Sequence, residues 1–196
     1  MITVTGIGNI KEIVAKKLKE NNINTSVKDY DLNKIINDKK EMYFVIYDGL
    51  YIAKYWDDFS ALKNINHIPI FVTTYNIYVF GINKLNHKKY TCPYCISKRI
   101  TIRDFNLKLY DNLLKRIDFK TISFDEKSIE LDHFVQILLE LIDNSILDSN
   151  YFHYDLLNNF YFTEKVQGLS NCPNCDYRKY DQNNLLTTIK EVLKDE

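Results

Sequence analysis

The four cysteines are the residues whose types and spacing point most directly to chemistry. They form two Cys-x-x-Cys pairs, Cys92-Pro-Tyr-Cys95 and Cys172-Pro-Asn-Cys175. Two residues between the thiols let both sulfurs reach one metal ion from a tight turn, and two such pairs complete a tetrahedral site. No cysteine remains as a nucleophile, and no ligand position remains open. The sequence therefore predicts one structural zinc ion per chain, held by Cys92, Cys95, Cys172 and Cys175.

Two other interpretations of the cysteine pairs are weaker. Cys-Pro-Tyr-Cys is also the active-site sequence of glutaredoxins, but that fold needs a cis-proline loop downstream, and the only later proline is Pro173. A zinc ribbon that binds nucleic acid would have closer pairs and basic hairpins. Here 76 residues (96–171) separate Cys95 from Cys172. This separation predicts that the metal joins the middle of the chain to its C-terminal part.

Composition and charge exclude several function classes. The chain has 196 residues with 26 basic and 26 acidic side chains, which argues against a general nucleic-acid binder. Residues 1–100 carry 15 basic and 9 acidic residues, and residues 101–196 carry 11 and 17. This asymmetry fits ordinary solvated surfaces or a basic face that meets an acidic partner. No apolar run approaches the roughly 20 residues of a membrane span, and no secretory signal is visible, so we expect a cytoplasmic protein without membrane contact.

The N-terminal residues predict the opening of a Rossmann-like fold. A strand at 2–5 leads into Gly6-Ile-Gly8, followed by a helix at 10–18 and a strand at 23–28. The fingerprint is incomplete, because Lys11 stands where the third glycine would be. Asp29 lies 21 residues after Gly8, where a carboxylate would meet a ribose hydroxyl. We therefore expect Gly6, Gly8, Asp29 and Asp31 to form a degenerate nucleotide site that has lost its ligand.

The rest of the chain continues an α/β pattern. Residues 42–47 form an apolar run typical of a buried parallel strand. Periodicity predicts further strands at 68–73, 77–81, 152–156 and 160–166, and helices at 33–40, 57–64, 93–117, 128–147 and 184–193. We interpret residues 1–196 as a single domain, with a Rossmann-like part at 1–90 and a helical and hairpin part, joined by zinc, at 91–196.

Together these motifs resemble the ThiF/MoeB superfamily of ubiquitin-activating-like adenylating enzymes. The closest resemblance is to its McbB-like or ocin-ThiF-like branch, which works in thiazole/oxazole-modified peptide biosynthesis. The resemblance rests on Gly6-Ile-Gly8, on Asp29-Tyr-Asp31, and on two cysteine pairs at this separation. Phe80-Gly81 before the first pair, the Arg99-bearing helix after it and the hairpin before the second pair also match the branch.

The resemblance implies a degenerate adenylating-enzyme fold that no longer adenylates. In active members an Asn-Leu-x-Arg-Gln segment contacts ATP, whereas here Leu32-Asn-Lys-Ile-Ile36 follows Asp31. No cysteine is left for a thioester. Longer members of the branch begin with a winged-helix peptide clamp, and we expect none here, because the chain starts at the Rossmann strand.

The expected function is that of a non-catalytic, zinc-binding scaffold, not an enzyme. It would present a ribosomal precursor peptide to a YcaO-type cyclodehydratase in thiopeptide or related bacteriocin biosynthesis, with an azoline dehydrogenase as a further partner and a homodimer as a possible state. An alternative is an active ATP-dependent adenylyltransferase acting on a peptide or sulfur-carrier C-terminus, with Gly6, Gly8, Asp29 and Asp31 holding ATP and magnesium. A third is a stand-alone binding module stabilised by zinc.

Overall fold

A computed structural model of the chain describes residues 1–35, 41–85, 90–104, 129–169, 172, 174 and 175. These residues form one seven-stranded sheet with helices on both faces, in the strand order β2-β1-β3-β4-β5-β6-β7. In chain order the elements are β1 (Ile2–Ile7), α1 (Ile10–Glu20), β2 (Thr25–Val27), α2 (Leu32–Ile35), β3 (Met42–Asp48), α3 (Ile52–Leu62), β4 (Asn66–Val72), β5 (Asn76–Val79), α4 (Pro93–Arg103), α5 (Ile129–Asp143), β6 (Asn150–Asp155) and β7 (Phe160–Lys165).

The first four strands are parallel, as a Rossmann-like opening requires. β1 lies between β2 and β3, and β4 continues the sheet beyond β3. The residues from Tyr43 to Tyr47 in β3 are fully buried, because helices cover both faces of the strand. This confirms the predicted strand–helix–strand opening and the predicted buried parallel strand.

Two separate cores hold the helices against the sheet. On one face α1 and α5 pack together, with Val14 and Leu18 in the same buried cluster as Phe134 and Leu138. On the other face α3 and α4 share a second cluster, which also contains three of the cysteines. The two faces thus give a three-layer α/β arrangement.

The last three strands are antiparallel and come from both parts of the chain. A tight turn at Thr73 and Asn76 joins β4 to β5, and a second hairpin joins β6 to β7. β5 and β6 are neighbours in the sheet although the first cysteine pair and α4 lie between them in sequence. A single sheet therefore includes strands from β1, next to the glycine turn, to β7, which precedes the second cysteine pair.

Three helix boundaries differ from the sequence-based prediction. The helix predicted at 93–117 ends at Arg103, because Asp104 adopts extended backbone angles (φ −93°, ψ 106°), and residues 105–117 lie outside the described residues. α3 begins at Ile52 instead of residue 57, since Ile52 and Tyr55 continue the buried face of Phe59 and Leu62.

The helix predicted at 128–147 ends at Asp143. Ser145 has a left-handed backbone (φ 55°), and the amide of Ile146 turns back to the carbonyl of Leu141. The helix predicted at 33–40 is described only as far as Ile35, and the helix predicted at 184–193 falls outside the described residues. None of the described helices combines the length and the apolarity needed to cross a bilayer.

Candidate functional site

The fold brings the two cysteine pairs together at one point. All four Sγ atoms lie within 4.8 Å of one another, with 3.6 Å between Cys92 and Cys172 and 3.3 Å between Cys95 and Cys175. Cys92 directly precedes α4 and Cys95 lies in its first turn, because Pro93 occupies a position where helices accept proline. The second pair follows β7. The predicted juxtaposition across 80 residues is confirmed for all four cysteines.

The arrangement fits a tetrahedral metal ion. Four thiolates at a zinc–sulfur distance of about 2.3 Å would have sulfur–sulfur separations of about 3.8 Å, which lies within the range found here. Cys92 is 1% exposed, Cys95 0% and Cys175 6%, and the amide of Leu169 donates a hydrogen bond to Cys95 Sγ (3.3 Å). These four soft sulfur donors, three of them on buried cysteines, could therefore hold a metal ion.

Electrostatics within the cluster are compatible with a bound cation. Hydrogen bonding with Cys172 raises the pKa of the Cys92 and Cys95 thiols, while hydrogen bonding with Cys175 lowers the pKa of Cys172. Protons are thus shared among the sulfurs, because several negative charges cannot coexist in so small a buried volume. Four simultaneous thiolates need a positive ion among them.

The position of Cys92 at a helix N-terminus is also found in redox-active dithiols. Such a thiol must be reached by its substrate, however, and Cys92 is buried and in contact with Cys172. The four cysteines form no disulfide. The geometry favours a closed cluster over a glutaredoxin-like site.

Side chains around the cluster fix α4 against α3. The Tyr94 ring stacks on Phe59 with 4.9 Å between centroids, and Trp56 donates its indole N–H to Ser97 Oγ (2.9 Å). Lys98 Nζ lies 3.3 Å from the centroid of the Trp56 ring. A helix held in this way presents both of its cysteines in a defined direction.

Hydrogen bonds also hold the chain that leads to the second pair. Arg99 donates to the carbonyl of Gly168 (2.9 Å), and Asn174 donates to the side chain of Asn83 (3.3 Å). The second pair is therefore positioned by contacts with residues near the first pair as well as by any bound metal.

The glycine turn at the start of the chain serves packing. Gly6 lies within β1, where an added Cβ would come 1.8 Å from the carbonyl oxygen of Ile46 in β3. Gly8 has a left-handed backbone (φ 89°), and an added Cβ would come 2.3 Å from Cβ of Asp48. Both glycines thus allow β1 and its turn to approach the end of β3.

A carboxylate of the protein itself occupies the N-terminus of α1. The first amides of a helix after a glycine turn are the groups that bind phosphate in nucleotide sites. Here the amides of Asn9 and Ile10 donate to the carboxylate of Asp48, whose residue is 4% exposed. Burial raises the Asp48 pKa to about 6, although these two hydrogen bonds favour the charged form. Asp48 Oδ2 has no hydrogen-bond partner among the described residues.

The two carboxylates after β2 have different environments. Asp31 accepts a hydrogen bond from the Asn33 amide (3.0 Å), so it caps the short helix α2. Asp29 is exposed, and its backbone carbonyl accepts a hydrogen bond from Thr5 Oγ1 (3.2 Å). Gly6, Gly8, Asp29 and Asp31 thus lie around the carboxyl ends of β1 and β2, the region where a nucleotide would bind in such a sheet.

Sequence reasoning missed Asp48. Its sequence signal is its position directly after an apolar run, because parallel strands place their carboxyl ends at the same edge of a sheet. Pairing of β1 with β3 then brings it beside Gly8. The sequence shows the strand end but not that the side chain turns into the glycine turn.

Solved structures with a similar fold come from peptide-modifying systems. A chain of the E. coli microcin synthetase McbBCD complex aligns with a TM-score of 0.61 at 11% identity, covering 87% of this chain and 67% of that one. A heterocyclase solved with substrate and cofactor gives a TM-score of 0.58 at 15% identity, covering 89% of this chain and 25% of the other. The heterocyclase TruD gives 0.53 at 13%, covering 93% and 28%.

These alignments show a shared fold. They include nearly all of this chain, while this chain spans about a quarter of each of the two heterocyclases. The sequence itself matches no family model and no curated protein. The architecture is thus that of a component chain of microcin synthetase and of one part of the heterocyclases.

Proposed function

We propose that this protein is a non-catalytic, zinc-binding partner in a thiazole-forming peptide-modification complex. It would belong to the ThiF/MoeB superfamily as a divergent member of the McbB-like branch. Its role would be to present a ribosomal precursor peptide to a YcaO-type cyclodehydratase, with an azoline dehydrogenase acting afterwards. Tethering the peptide raises its effective concentration at the active site of the partner.

The observation that carries the proposal is the extent of the structural likeness. Alignment with a chain of the microcin synthetase complex and with two heterocyclases includes 87–93% of this chain.

The absence of catalysis is supported by the glycine turn. Asp48 already accepts the α1 amides that a nucleotide phosphate would need, and a second anion beside it would be repelled. Asp31 caps a helix, and Ile35 and Ile36 stand where the active members carry arginine and glutamine. We therefore propose a scaffold in preference to an adenylyltransferase.

Zinc is the metal best suited to the cysteine cluster. Four thiolates select soft or borderline metals, and zinc favours tetrahedral coordination without redox chemistry. When bound, it would supply structural stabilisation, since the site has no open position. Cys92 and Cys95 would hold it from α4, and Cys172 and Cys175 from the segment after β7.

Affinity purification from the native host, followed by mass spectrometry, tests the role. We expect to recover a YcaO-type protein and a short peptide rich in cysteine or serine. ATP–pyrophosphate exchange is measured on the purified protein with and without that peptide, using an active adenylating enzyme as the positive control. We expect no exchange above background.

Two results would contradict the proposal. Exchange by the purified protein alone would establish an adenylyltransferase. Recovery of a small carrier protein ending in Gly-Gly, without a YcaO-type partner, would point to sulfur-carrier activation instead.

A further inference from the structure

The outer edge of the sheet has an exposed strand with aromatic side chains on both faces. β7 is the last strand of the sheet in the described residues, and its aromatic residues Phe160, Tyr161 and Phe162 are 60%, 44% and 39% exposed. The ring of Phe162 contacts Tyr151 on one face, and Tyr161 contacts Phe152 on the other. Long exposed apolar edge strands are unusual in isolated proteins, because they pair readily with other chains.

The backbone of β7 offers alternating hydrogen-bonding groups to a further strand. The amide of Val166 donates to Ser149 (2.9 Å), so Val166 faces β6. Alternation in an antiparallel pair directs the amides and carbonyls of Tyr161, Thr163 and Lys165 away from β6. An extended peptide could therefore hydrogen-bond to three successive outward-facing residues.

A positively charged groove lies beside this edge. It has a volume of about 390 Å³ and lies between α4, β7 and the segment that follows β7. Its charged lining residues are Arg99, Arg103, Lys165 and Glu164, three cations against one carboxylate. Glu164 is already paired with Arg103 through a bidentate ion pair, while Asp104 adds one acidic group at the end of α4.

The groove also has an apolar component. Ile102 is 76% exposed, and Val166 and Leu169 line the same groove. A ligand with one acidic side chain between apolar side chains would match both the charge and the surface. A second copy of this chain would bring no free carboxylate on its own β7, because Glu164 is engaged by Arg103.

We propose that β7 and this groove bind an extended peptide that contains an acidic residue, by adding it to the sheet as an eighth strand. The proposal rests on the proposed function, in that the strand would come from the precursor peptide. Hydrogen bonds to β7 would bind the peptide main chain, and Arg99, Arg103 and Lys165 would orient the acidic side chain.

The test uses a fluorescein-labelled synthetic peptide of about eight residues, the length of an ordinary strand, with threonine and valine alternating around one aspartate. Anisotropy with the complete protein gives its dissociation constant. Two isomers of the peptide carry N-methyl groups on alternate sets of amides. We expect one isomer to lose more than about tenfold in affinity while the other binds like the parent, because only one set faces β7. Replacing the aspartate by asparagine should weaken binding about fivefold and remove its salt dependence.

A matched pair of protein variants tests the same edge. Thr163→Pro removes an outward-facing amide, which edge strands tolerate, whereas Thr163→Ala keeps it. We expect Thr163→Pro to lose more than about tenfold in affinity and Thr163→Ala to bind as the parent does, with both variants unchanged in circular dichroism.

Several results would overturn this assignment. The peptide could fail to bind at all, both N-methyl isomers could bind equally well, or the two Thr163 variants could bind the peptide equally well. A dimer by light scattering that Thr163→Pro converts to a monomer would assign the edge to a second copy instead. Failure of the proposed function is distinguishable, because a peptide that binds β7 in a protein with no YcaO-type partner contradicts only the biosynthetic role.

Discussion

The sequence suggests a ligand at two regions, the cysteine cluster and the glycine turn. The two regions differ in the groups that the protein itself places there. At the cluster, four sulfurs, three of them on buried cysteines, converge within 4.8 Å and could hold a metal ion. At the turn, the anion expected of a ligand is already provided by Asp48. The first region could hold an external ion, whereas in the second the helix amides already have a partner within the protein.

The two regions also differ in what their glycines and cysteines do in the fold. The two glycines have a packing role, because β3 lies against them. The cysteines remain necessary for a different reason, since they connect the first turn of α4 to the segment after β7.

We expect the largest loss of stability from a substitution in the cysteine cluster. Cys172→Ser should abolish metal binding and unfold or aggregate the C-terminal half, at a cost of more than about 5 kcal/mol, because metal binding energy is folding energy in such sites. Elemental analysis should give one zinc per chain for the parent and none for the variant. Tyr94→Phe, a change between two of the ligands, is the control and should retain the metal. A soluble, metal-free protein with an unchanged melting temperature would contradict the structural role.

Gly6→Ala should have the next largest effect. Its Cβ would overlap the Ile46 carbonyl, and the two strands would have to separate, so we expect the free energy of unfolding to fall by about 3 kcal/mol or more. Urea denaturation measures the change. Asn9→Ala in the same turn is the control, since Asn9 makes no side-chain capping bond. Similar stability of both variants would show that the turn tolerates a side chain.

Asp48→Asn should change the pH dependence of stability. The pKa of Asp48 rises from 3.8 to about 6 on folding, so the folded state binds its proton more tightly than the unfolded state does. Its contribution to stability is therefore fully present below pH 3.8 and is lost as the pH rises through about 6. Relative to the parent, Asp48→Asn should become more stable by about 2 kcal/mol between pH 4 and pH 7.

Denaturation at both pH values measures this change, and the exposed Asp29→Asn variant serves as the control. If the difference in unfolding free energy between the parent and Asp48→Asn were the same at both pH values, folding would not change the pKa of Asp48. This result would contradict the prediction.

We expect the smallest loss of stability from substitution of Asp31, the second carboxylate after β2. Asp31→Ala removes the cap of α2 and should cost about 1 kcal/mol or less, whereas Asp29→Ala should change stability by less than about 0.5 kcal/mol. Hydrogen exchange of the Asn33 amide reports the loss directly. Faster exchange in both variants would indicate that the two aspartates act together, as they would around a bound metal ion.

Much of the fold could be predicted, because hydrophobic periodicity depends mainly on local sequence. The buried run in β3, the amphipathic stripe of α5 and the β6–β7 hairpin all appear where the pattern places them. The exact helix ends could not be predicted in the same way. α4 stops at Arg103 and α5 at Asp143, where backbone angles change without a glycine or proline to mark the place.

The sequence by itself determined that the four cysteines belong together, because paired Cys-x-x-Cys spacing has few other uses. It also determined the strand–helix–strand opening, since alternation and helical spacing are properties of the local chain. Only the tertiary structure decided what fills the glycine turn, because Asp48 reaches it through pairing of β1 with β3, 40 residues further along the chain. It also decided that β7 is the edge of the sheet, because strand order depends on which strands pair and not on where they stand in the sequence.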